Sequence, residues 1–290
     1  MTVYNFRMHS PTAAARSRSF SDIARRFFPT PEFLLPRACG IDISDASIKW
    51  LTLSRGDPYQ RRVAAWGDMP LSPGIVVGGV IHDVPALSAA LAHIAPHVGG
   101  VSAAYAALPE EAAYVFDMHV PEGAPLDQVR SMIEFEFDGR VPIPPSAAVY
   151  DFNVIQKHDT DEGEEIGVVV FPRDISEAYA AAFAGTGLEL LSLEIEAHSI
   201  ARAVSSTDES EPITLLIDFG RARTGFAVLK RGIPIFTSTV EVGGDSVIHA
   251  LQKVLSVTPE VAEHFSNFEG LLPKEGARSS GTEAIIGTAS

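Results

Sequence analysis

The chain has 290 residues, with 22 Lys and Arg against 37 Asp and Glu and a formal net charge of −15. Because this excess of acid repels phosphate backbones, we expect no nucleic-acid partner. The single cysteine, Cys39, cannot close an internal disulfide, which predicts a reducing compartment and favours the cytoplasm. No apolar stretch approaches the roughly 20 residues that cross a bilayer, so the sequence predicts no membrane span.

Residues 1–37 form a basic arm before an acidic body, with six arginines against two acids. Phe20, Ile23 and Phe27 recur at helical spacing, with two arginines between them. This pattern is typical of a short amphipathic helix that makes peripheral contact with anionic lipid or with a partner protein. A disordered or locally docked tail is the commoner state of a terminus, and both interpretations stay open.

Residues 38–100 are predicted to form a first subdomain. Apolar and β-branched runs predict strands within Gly40–Leu53 and over Arg61–Leu71, separated by turn residues. Apolar residues at every third or fourth position then predict a helix over Val84–Val98. Two glycines follow and end this helix.

Residues 101–190 are predicted to form a compact α+β insert. The expected elements, in chain order, are strands Val101–Leu108 and Tyr114–Val120, a helix over Leu126–Phe137, strands Val149–Ile155 and Ile166–Phe171, and a helix over Ile175–Gly185. Asp174 and Glu177 have the spacing of a capping box at the start of the last helix. The acidic run Asp159–Glu165 lacks the ordered spacing of a calcium loop, so we interpret it as a solvated surface loop.

Residues 191–270 are predicted to form a second domain, which a strand over Leu188–Ile195 introduces. Further strands are expected over Ile213–Phe219, Thr224–Lys230 and Ile233–Val242, and helices over Ala197–Val204, Asp245–Leu255 and Pro259–Phe268. Residues 271–290 are rich in Gly, Ser and Thr, which predicts a flexible tail.

Two segments share one strand-turn-strand pattern: Gly40–Leu53 reads GIDISDASIKWLTL and Leu216–Leu229 reads LIDFGRARTGFAVL. They align without a gap, so that Asp42 matches Asp218 and Ser44 matches Gly220. Each segment is an apolar strand that ends in Asp, a tight turn and a second apolar strand. Two such hairpins predict a duplicated architecture whose halves face each other across a ligand-binding cleft.

Each hairpin has the features of a phosphate-binding turn. A small residue, Ser44 or Gly220, lets backbone N–H groups approach an anion, and Asp42 and Asp218 are candidate ligands of magnesium through water. Asp residues at strand ends also commonly bond the amides of their own turn. The sequence leaves both interpretations of the two aspartates open.

Three further features extend the candidate phosphate site. Lys49 is placed to reach a phosphate or to lie on the wet face of its strand, and Thr224 to bond a phosphate or to face the sheet. Gly243, Gly244 and Asp245 precede a predicted helix, whose N-terminus would then face a nucleotide. An ordinary turn before a helix explains the two glycines equally well.

These motifs, in this order, resemble those of the actin, Hsp70 and sugar-kinase superfamily. Within it, the opening segment GIDISDASIKWLTLSR is similar to the signature of the PilM family of type IV pilus assembly proteins. Further segments follow the family's order: Pro73-Gly74-Ile75, Gly79-Val80-Ile81, Glu134-Phe135-Glu136, Val141-Pro142-Ile143-Pro144, Tyr150-Asp151-Phe152-Asn153-Val154, Ile195-Glu196-Ala197 and Pro259–Glu263. The resemblance covers residues 39–269.

The resemblance implies an α/β protein with an actin-like, ribonuclease H-like duplicated fold and an inserted, SHS2-like α+β subdomain. It implies ATP or ADP with magnesium as the cofactor. The candidate nucleotide-binding residues are Asp42, Ser44, Lys49, Asp218, Gly220, Thr224, Gly243, Gly244 and Asp245, of which Asp42 and Asp218 face the metal. Ser44 stands where the family has Gly, which would weaken nucleotide binding if this turn needs a positive φ.

The resemblance also implies a scaffold of a type IV pilus or type II secretion-like platform, cytoplasmic and peripheral to the inner membrane. A groove beside the insert would receive the cytoplasmic N-terminus of a PilN-like membrane protein, and other platform proteins are further expected partners. The chain stops before the last strands and the second Gly-Gly motif of the family. We therefore expect an incomplete second domain, with its C-terminal part truncated.

No nucleophile–base pair is evident, so we expect no catalytic residues and at most slow ATP hydrolysis. Two alternatives from the same superfamily stay open. A small-molecule kinase would need a catalytic base and a full second domain. An FtsA-like division protein carries its membrane helix at the C-terminus, whereas the amphipathic candidate of this chain is N-terminal.

Overall fold

The computed structural model describes residues 37–54, 62–157, 163–204 and 213–268, so the predicted arm, apart from Arg37, and the predicted tail lie outside the described residues. The strands are β1 (Ala38–Ile43), β2 (Ser47–Leu53), β3 (Val63–Pro70), β4 (Val76–Val77), β5 (Val80–Ile81), β6 (Ala103–Leu108), β7 (Tyr114–Val120), β8 (Ala148–Lys157), β9 (Glu164–Pro172), β10 (Glu189–Ile195), β11 (Ile213–Phe219), β12 (Thr224–Lys230) and β13 (Ile233–Val240). The helices are α1 (Val84–Ile94), α2 (Leu126–Arg140), α3 (Arg173–Phe183), α4 (Glu196–Val204), α5 (Gly244–Leu255) and α6 (Pro259–Phe268).

Five strands form a mixed sheet in the order β10-β6-β1-β2-β3. Strands β1, β2 and β3 are antiparallel neighbours, whereas β6 is parallel to both β1 and β10. Along β1 the side chains alternate, so that Cys39, Ile41 and Ile43 are buried and Gly40 is exposed. The sheet at β1 therefore has one face in the core and one open face.

Helix α1 follows the short β4–β5 hairpin and adds apolar side chains to the core. The Asp83 carboxylate caps its first turn by accepting the Ala86 amide at 2.9 Å. The helix buries Leu87, Leu91 and Ile94, the residues that the periodicity predicts. It ends earlier than predicted, and a single 3₁₀ turn follows at the next proline.

A separate antiparallel sheet, in the order β7-β9-β8, forms the insert together with helix α2. Its core includes apolar side chains of α2 and of all three strands: Phe116, Met118, Val129, Ile133, Phe137, Ala148, Ile166, Val168 and Val170. The central strand β9 is buried continuously from Glu165 to Phe171. Because successive side chains point to opposite faces, a second layer must cover the face away from α2.

The end of the β12–β13 hairpin contributes to that second layer. A Cβ atom added to Gly167 would lie 2.8 Å from Ile233 Cγ2 and 3.2 Å from the Pro234 carbonyl oxygen, so glycine admits the hairpin here. Lys230 Nζ lies 2.7 Å from both carboxylate oxygens of Glu165, whose side chain is only 2% exposed. The prediction of a solvated loop is therefore wrong for Glu165, because Lys230 balances its charge inside the fold.

The chain divides into two compact units, residues 1–215 with 227–237 and residues 216–226 with 238–290. The first unit contains the five-stranded sheet, the insert and the end of the β12–β13 hairpin. The second contains the turn between β11 and β12 and helices α5 and α6. Strands β11, β12 and β13 form a three-stranded sheet in that order. None of the described helices is long and apolar enough to cross a membrane.

The predicted strands and helices are present in the described residues to within a few residues at their ends. The insert begins later than the predicted boundary at residue 101. Strand β6 belongs to the five-stranded sheet, and the separate sheet of the insert starts at Tyr114. The predicted capping box is wrong. Helix α3 starts at Arg173 without a side-chain cap, and the Asp174 carboxylate instead accepts the Ile175 amide.

Lys230→Met tests the contact between the insert and the hairpin. The Glu165 carboxylate would stay buried without its cation, so we expect the free energy of unfolding to fall by about 3–5 kcal/mol in chemical denaturation. Glu136→Gln is the control, because it removes the exposed ion pair with Arg140 and should cost less than about 1 kcal/mol. Equal losses in the two variants would contradict this assignment.

Candidate functional site

The β1–β2 hairpin holds Asp42 and Lys49 directly opposite each other on paired strands. The Lys49 ammonium lies 3.8 Å from the Asp42 carboxylate, and the two side chains are 58% and 45% exposed. An exposed ion pair of this kind contributes at most about 1 kcal/mol, so it leaves both side chains able to rearrange. In the described conformation, however, Lys49 partly neutralises the carboxylate that the family resemblance assigns to a metal.

Ser44 closes the β1–β2 turn with its own hydroxyl group. Ser44 Oγ accepts the amide of Ser47 at 3.1 Å and the amide of Ala46 at 3.4 Å. Its φ is not positive, since positive φ among the described non-glycine residues occurs only at Arg231 and Ser256. The backbone therefore does not require glycine at this position. The hydroxyl thus already accepts two backbone amides of the turn, so they are not open to an anion in this conformation.

Asp45, which the repeat does not predict as a site residue, binds the neighbouring β4–β5 turn. Its carboxylate oxygens accept the amides of Gly78 at 2.8 Å and Gly79 at 3.0 Å. Both glycines have positive φ, +57° and +73°, as a two-residue type I′ hairpin turn requires. A Gly-Gly pair between two valines is the sequence signal for this hairpin. No local signal links it to Asp45.

Tyr179 of helix α3 also binds the β4–β5 turn, through its hydroxyl group. Its hydroxyl group is buried and donates to the Gly79 carbonyl oxygen at 2.9 Å. Burial raises the pKa of the Tyr179 hydroxyl well above its usual value, and the carboxylates of Glu196, Asp45 and Asp42 raise it further. Tyr179 therefore stays a neutral hydrogen-bond donor across the physiological range.

The β11–β12 turn has the hydrogen bond that closes the first hairpin. The Gly220 amide donates to the Arg223 carbonyl oxygen at 2.9 Å, as the Ser44 amide does to the Ser47 carbonyl oxygen at 2.9 Å. This equivalence agrees with the gap-free alignment of the two segments. Asp218, the match of Asp42, is exposed near the end of β11.

Gly243, Gly244 and Asp245 pack directly against the β11–β12 turn. The Gly244 amide donates to the Gly220 carbonyl oxygen at 3.0 Å, and the Asp245 amide donates to the Arg221 carbonyl oxygen at 2.8 Å. The Asp245 carboxylate also lies 3.2 Å from Arg221 Nε. The first amides of helix α5, which would bind a phosphate, therefore already have partners in the protein.

Close packing explains why position 243 requires glycine. A Cβ atom here would lie 2.6 Å from the Arg221 carbonyl oxygen and 2.7 Å from the Gly220 carbonyl oxygen. Its φ of −150° is ordinary extended backbone, so the constraint is steric. The buried Thr224 hydroxyl donates to the Val242 carbonyl oxygen at 2.6 Å, which fixes the segment between β13 and Gly243.

Each unit thus brings its own candidate residues together. The first unit contains Asp42, Ser44 and Lys49, and the second contains Asp218, Gly220, Thr224, Gly243, Gly244 and Asp245. In this conformation a phosphate at either turn would compete with bonds inside the protein, because the Ser44, Ser47, Gly220, Gly244 and Asp245 amides already donate within the chain. Among the described residues, no group of three or more His, Cys, Asp or Glu could hold a metal ion.

A second candidate site lies where the first sheet leads into the insert. Val77 and Val80 flank the β4–β5 turn and are 52% and 38% exposed. A Cβ atom on Gly79 would overlap the ring of Pro109 and lie 3.5 Å from Glu111 Oε2, so the turn sits on the segment that links β6 to β7. Apolar side chains beside a carboxylate suit a peptide with apolar and basic residues.

The sheet order, the repeated hairpins and the inserted sheet define a protein with the actin-like fold. The model of the type IV pilus assembly protein PilM family matches residues 40–279. The chain belongs to this family. Among curated proteins, none matches the chain.

Two solved structures show the same fold. The PilM-PilN type IV pilus biogenesis complex has a TM-score of 0.68 at 18% identity, and the match covers 87% of this chain and 74% of that chain. MreB5 of Spiroplasma citri bound to ADP has a TM-score of 0.51 at 16% identity, over 88% of this chain and 74% of that chain. At these identities the likeness concerns the fold alone.

Gly243→Ala tests whether this glycine is a packing requirement. The added methyl group would overlap two carbonyl oxygens, and we expect a loss of about 1–3 kcal/mol in unfolding free energy by chemical denaturation. Gly139→Ala is the matched control in helix α2, where nothing lies within 4 Å of the added Cβ atom. That change should stabilise the protein by about 0.5–1 kcal/mol. A neutral Gly243→Ala would show that the turn and the helix do not pack as described.

Proposed function

We propose that this protein is a cytoplasmic scaffold of a type IV pilus inner-membrane platform, where it binds the short cytoplasmic N-terminus of a PilN-like membrane protein. The family match over residues 40–279 carries the proposal, because it spans both hairpins and the insert. The PilM-PilN complex, whose fold this chain shares, supports the choice of partner. Other platform proteins would then contact the scaffold from the cytoplasm, with the protein peripheral to the inner membrane.

We place the peptide site at the junction of the first sheet and the insert. Val77 and Val80 offer exposed apolar side chains on a turn that Asp45 and Tyr179 hold rigid. A rigid site loses little conformational freedom when it binds a short peptide. The neighbouring Glu111 carboxylate favours a peptide with a basic residue next to its apolar ones.

We further propose that ATP or ADP, with magnesium, binds weakly and is not needed for partner binding. Asp42 and Asp218 remain the residues that would face the metal. The support is local: phosphate binding would have to displace the bonds that Ser44, Gly244 and Asp245 make within the protein. If bound, the nucleotide would supply charge and contacts, and no side chain in either hairpin forms a nucleophile–base pair.

The peptide site is tested with Val77→Ser and Val80→Ser together. Loss of two apolar contacts should weaken binding of a synthetic PilN-like N-terminal peptide about tenfold, by isothermal titration calorimetry. Val204→Ser is the control, because Val204 is 62% exposed elsewhere on the first unit. If neither the double variant nor Val204→Ser weakens peptide binding, the peptide site does not lie at the β4–β5 turn. The absence of peptide binding to the unmodified protein would contradict the scaffold proposal itself.

The role of nucleotide is tested by repeating the peptide titration with and without ATP and magnesium. Weak, uncoupled binding predicts that the peptide Kd changes by less than about twofold. A larger change would show that nucleotide controls the platform contact. Phosphoryl transfer from labelled ATP to sugars or acids would instead favour the alternative of a small-molecule kinase.

A further inference from the structure

The five-stranded sheet has an open apolar face. In-register pairing aligns Tyr105 on β6, Gly40 on β1, Leu51 on β2 and Trp66 on β3 in one row. The side chains of Tyr105, Leu51 and Trp66 are 42%, 44% and 75% exposed. Paired residues point to the same side of a sheet, so the row forms one continuous surface.

Two more apolar side chains extend this surface. Leu53 and Val63 are paired across β2 and β3 and are 40% and 55% exposed. With Tyr105, Leu51 and Trp66 they define the open face, which presents on the order of 500 Å² of apolar area. The largest apolar patch of a typical monomer has about this size and is often an interaction site, because water contacts apolar surface unfavourably.

A charged row borders the open face on one side. Asp42, Lys49 and Asp68 are paired in register across β1, β2 and β3, next to the row of Tyr105 and Trp66. The row carries two carboxylates and one ammonium group, a net negative charge. An occupant that combines apolar side chains with a positive charge therefore matches both parts of this surface.

Residues 1–36 have that composition. They contain five of the 16 phenylalanines of the chain, and five arginines against two acids, in a protein of net charge −15. Phe20, Ile23 and Phe27 recur at helical spacing and would lie on one side of a helix. The segment thus pairs an apolar stripe with basic residues.

The position of the segment also favours the open face. Residue 36 is followed by Arg37 and then by β1, so the segment enters at the Ala38 end of that strand. Leu53 lies near this end, because β1 and β2 are antiparallel and Gly40 pairs with Leu51. The residues between Phe28 and Arg37 reach up to about 25 Å when extended, whereas β3 lies only about 10 Å from β1.

We propose that residues 1–36 dock in cis on the open face, with Phe20, Ile23 and Phe27 against Leu51 and Trp66. The arginines of the segment then face the exposed Asp68 at the β3 end of the bordering charged row. This contact covers apolar surface of the first unit and is independent of the peptide site at the β4–β5 turn. The basic arm is then an intramolecular ligand of the five-stranded sheet.

Trp66 reports on this contact directly, since the chain has two tryptophans and Trp50→Phe leaves Trp66 as the single indole. In that background, the arm variant replaces Phe20, Ile23 and Phe27 by Ser in the full chain. The control variant replaces Ser17, Ser19 and Ser21 by Ala in the same segment. Acrylamide quenching and the emission maximum are measured for all three proteins at several protein concentrations.

We expect the Trp66 quenching constant to be several-fold larger in the arm variant than in the parent, with a red-shifted emission. The control variant should match the parent. Equal quenching in the parent and the arm variant would overturn the proposal. Protection that disappears on dilution would also overturn it, because a second copy would then be the occupant. Binding of the arm to anionic vesicles while Trp66 stays exposed would assign the arm to a membrane instead.

A second measurement covers the case in which Trp50→Phe does not fold. The full chain with both tryptophans is labelled with 5-fluorotryptophan, and Trp66→Phe, a change at an exposed site, assigns the Trp66 fluorine signal. The solvent isotope shift of that signal should increase in the arm variant and not in the control. An isotope shift that is the same in all proteins would contradict docking.

Discussion

The contact of Lys230 with the buried Glu165 carboxylate is the constraint on which the first unit depends. Strand β9 lies between two neighbours and is buried on both faces, so its second face needs a cover. The end of the β12–β13 hairpin contributes to it, through a lysine that lies 65 residues after the carboxylate it balances. Because the buried Glu165 carboxylate is not stable in the core without a cation, the insert and the hairpin end should fold as one cooperative unit.

The β12–β13 hairpin belongs partly to each of the two units. Strands β12 and β13 end on the insert at one side, and their other ends belong to the second unit with the β11–β12 turn. In the second unit, carbonyl oxygens of this turn accept hydrogen bonds from the Gly244 and Asp245 amides. Because Gly243 has no Cβ atom, the start of helix α5 can approach the turn closely. Each of the two strands therefore runs from one unit into the other.

The elements with a local pattern could be predicted from the sequence. The repeat of Asp42 and Asp218 is visible as a gap-free alignment, and the strands follow from alternation and turn residues. The remaining contacts join positions far apart in the chain. Asp45 binds amides 33 and 34 residues later, and Glu165 belongs to an acidic run that resembles a surface loop. No local periodicity carries the information that a lysine will reach it.

The Gly and Asp residues of both hairpins illustrate how one pattern supports two chemistries. Small residues next to a turn admit a phosphate, and they equally admit a carbonyl oxygen of the same chain. In this protein the Ser44 amide donates to the Ser47 carbonyl oxygen and the Gly220 amide donates to the Arg223 carbonyl oxygen, so each turn closes on itself. A scaffold of the proposed kind would benefit from this arrangement, because the rigidity of the proposed peptide site would then not depend on whether a nucleotide is bound. A kinase would need the opposite, amides left open for the group to be transferred.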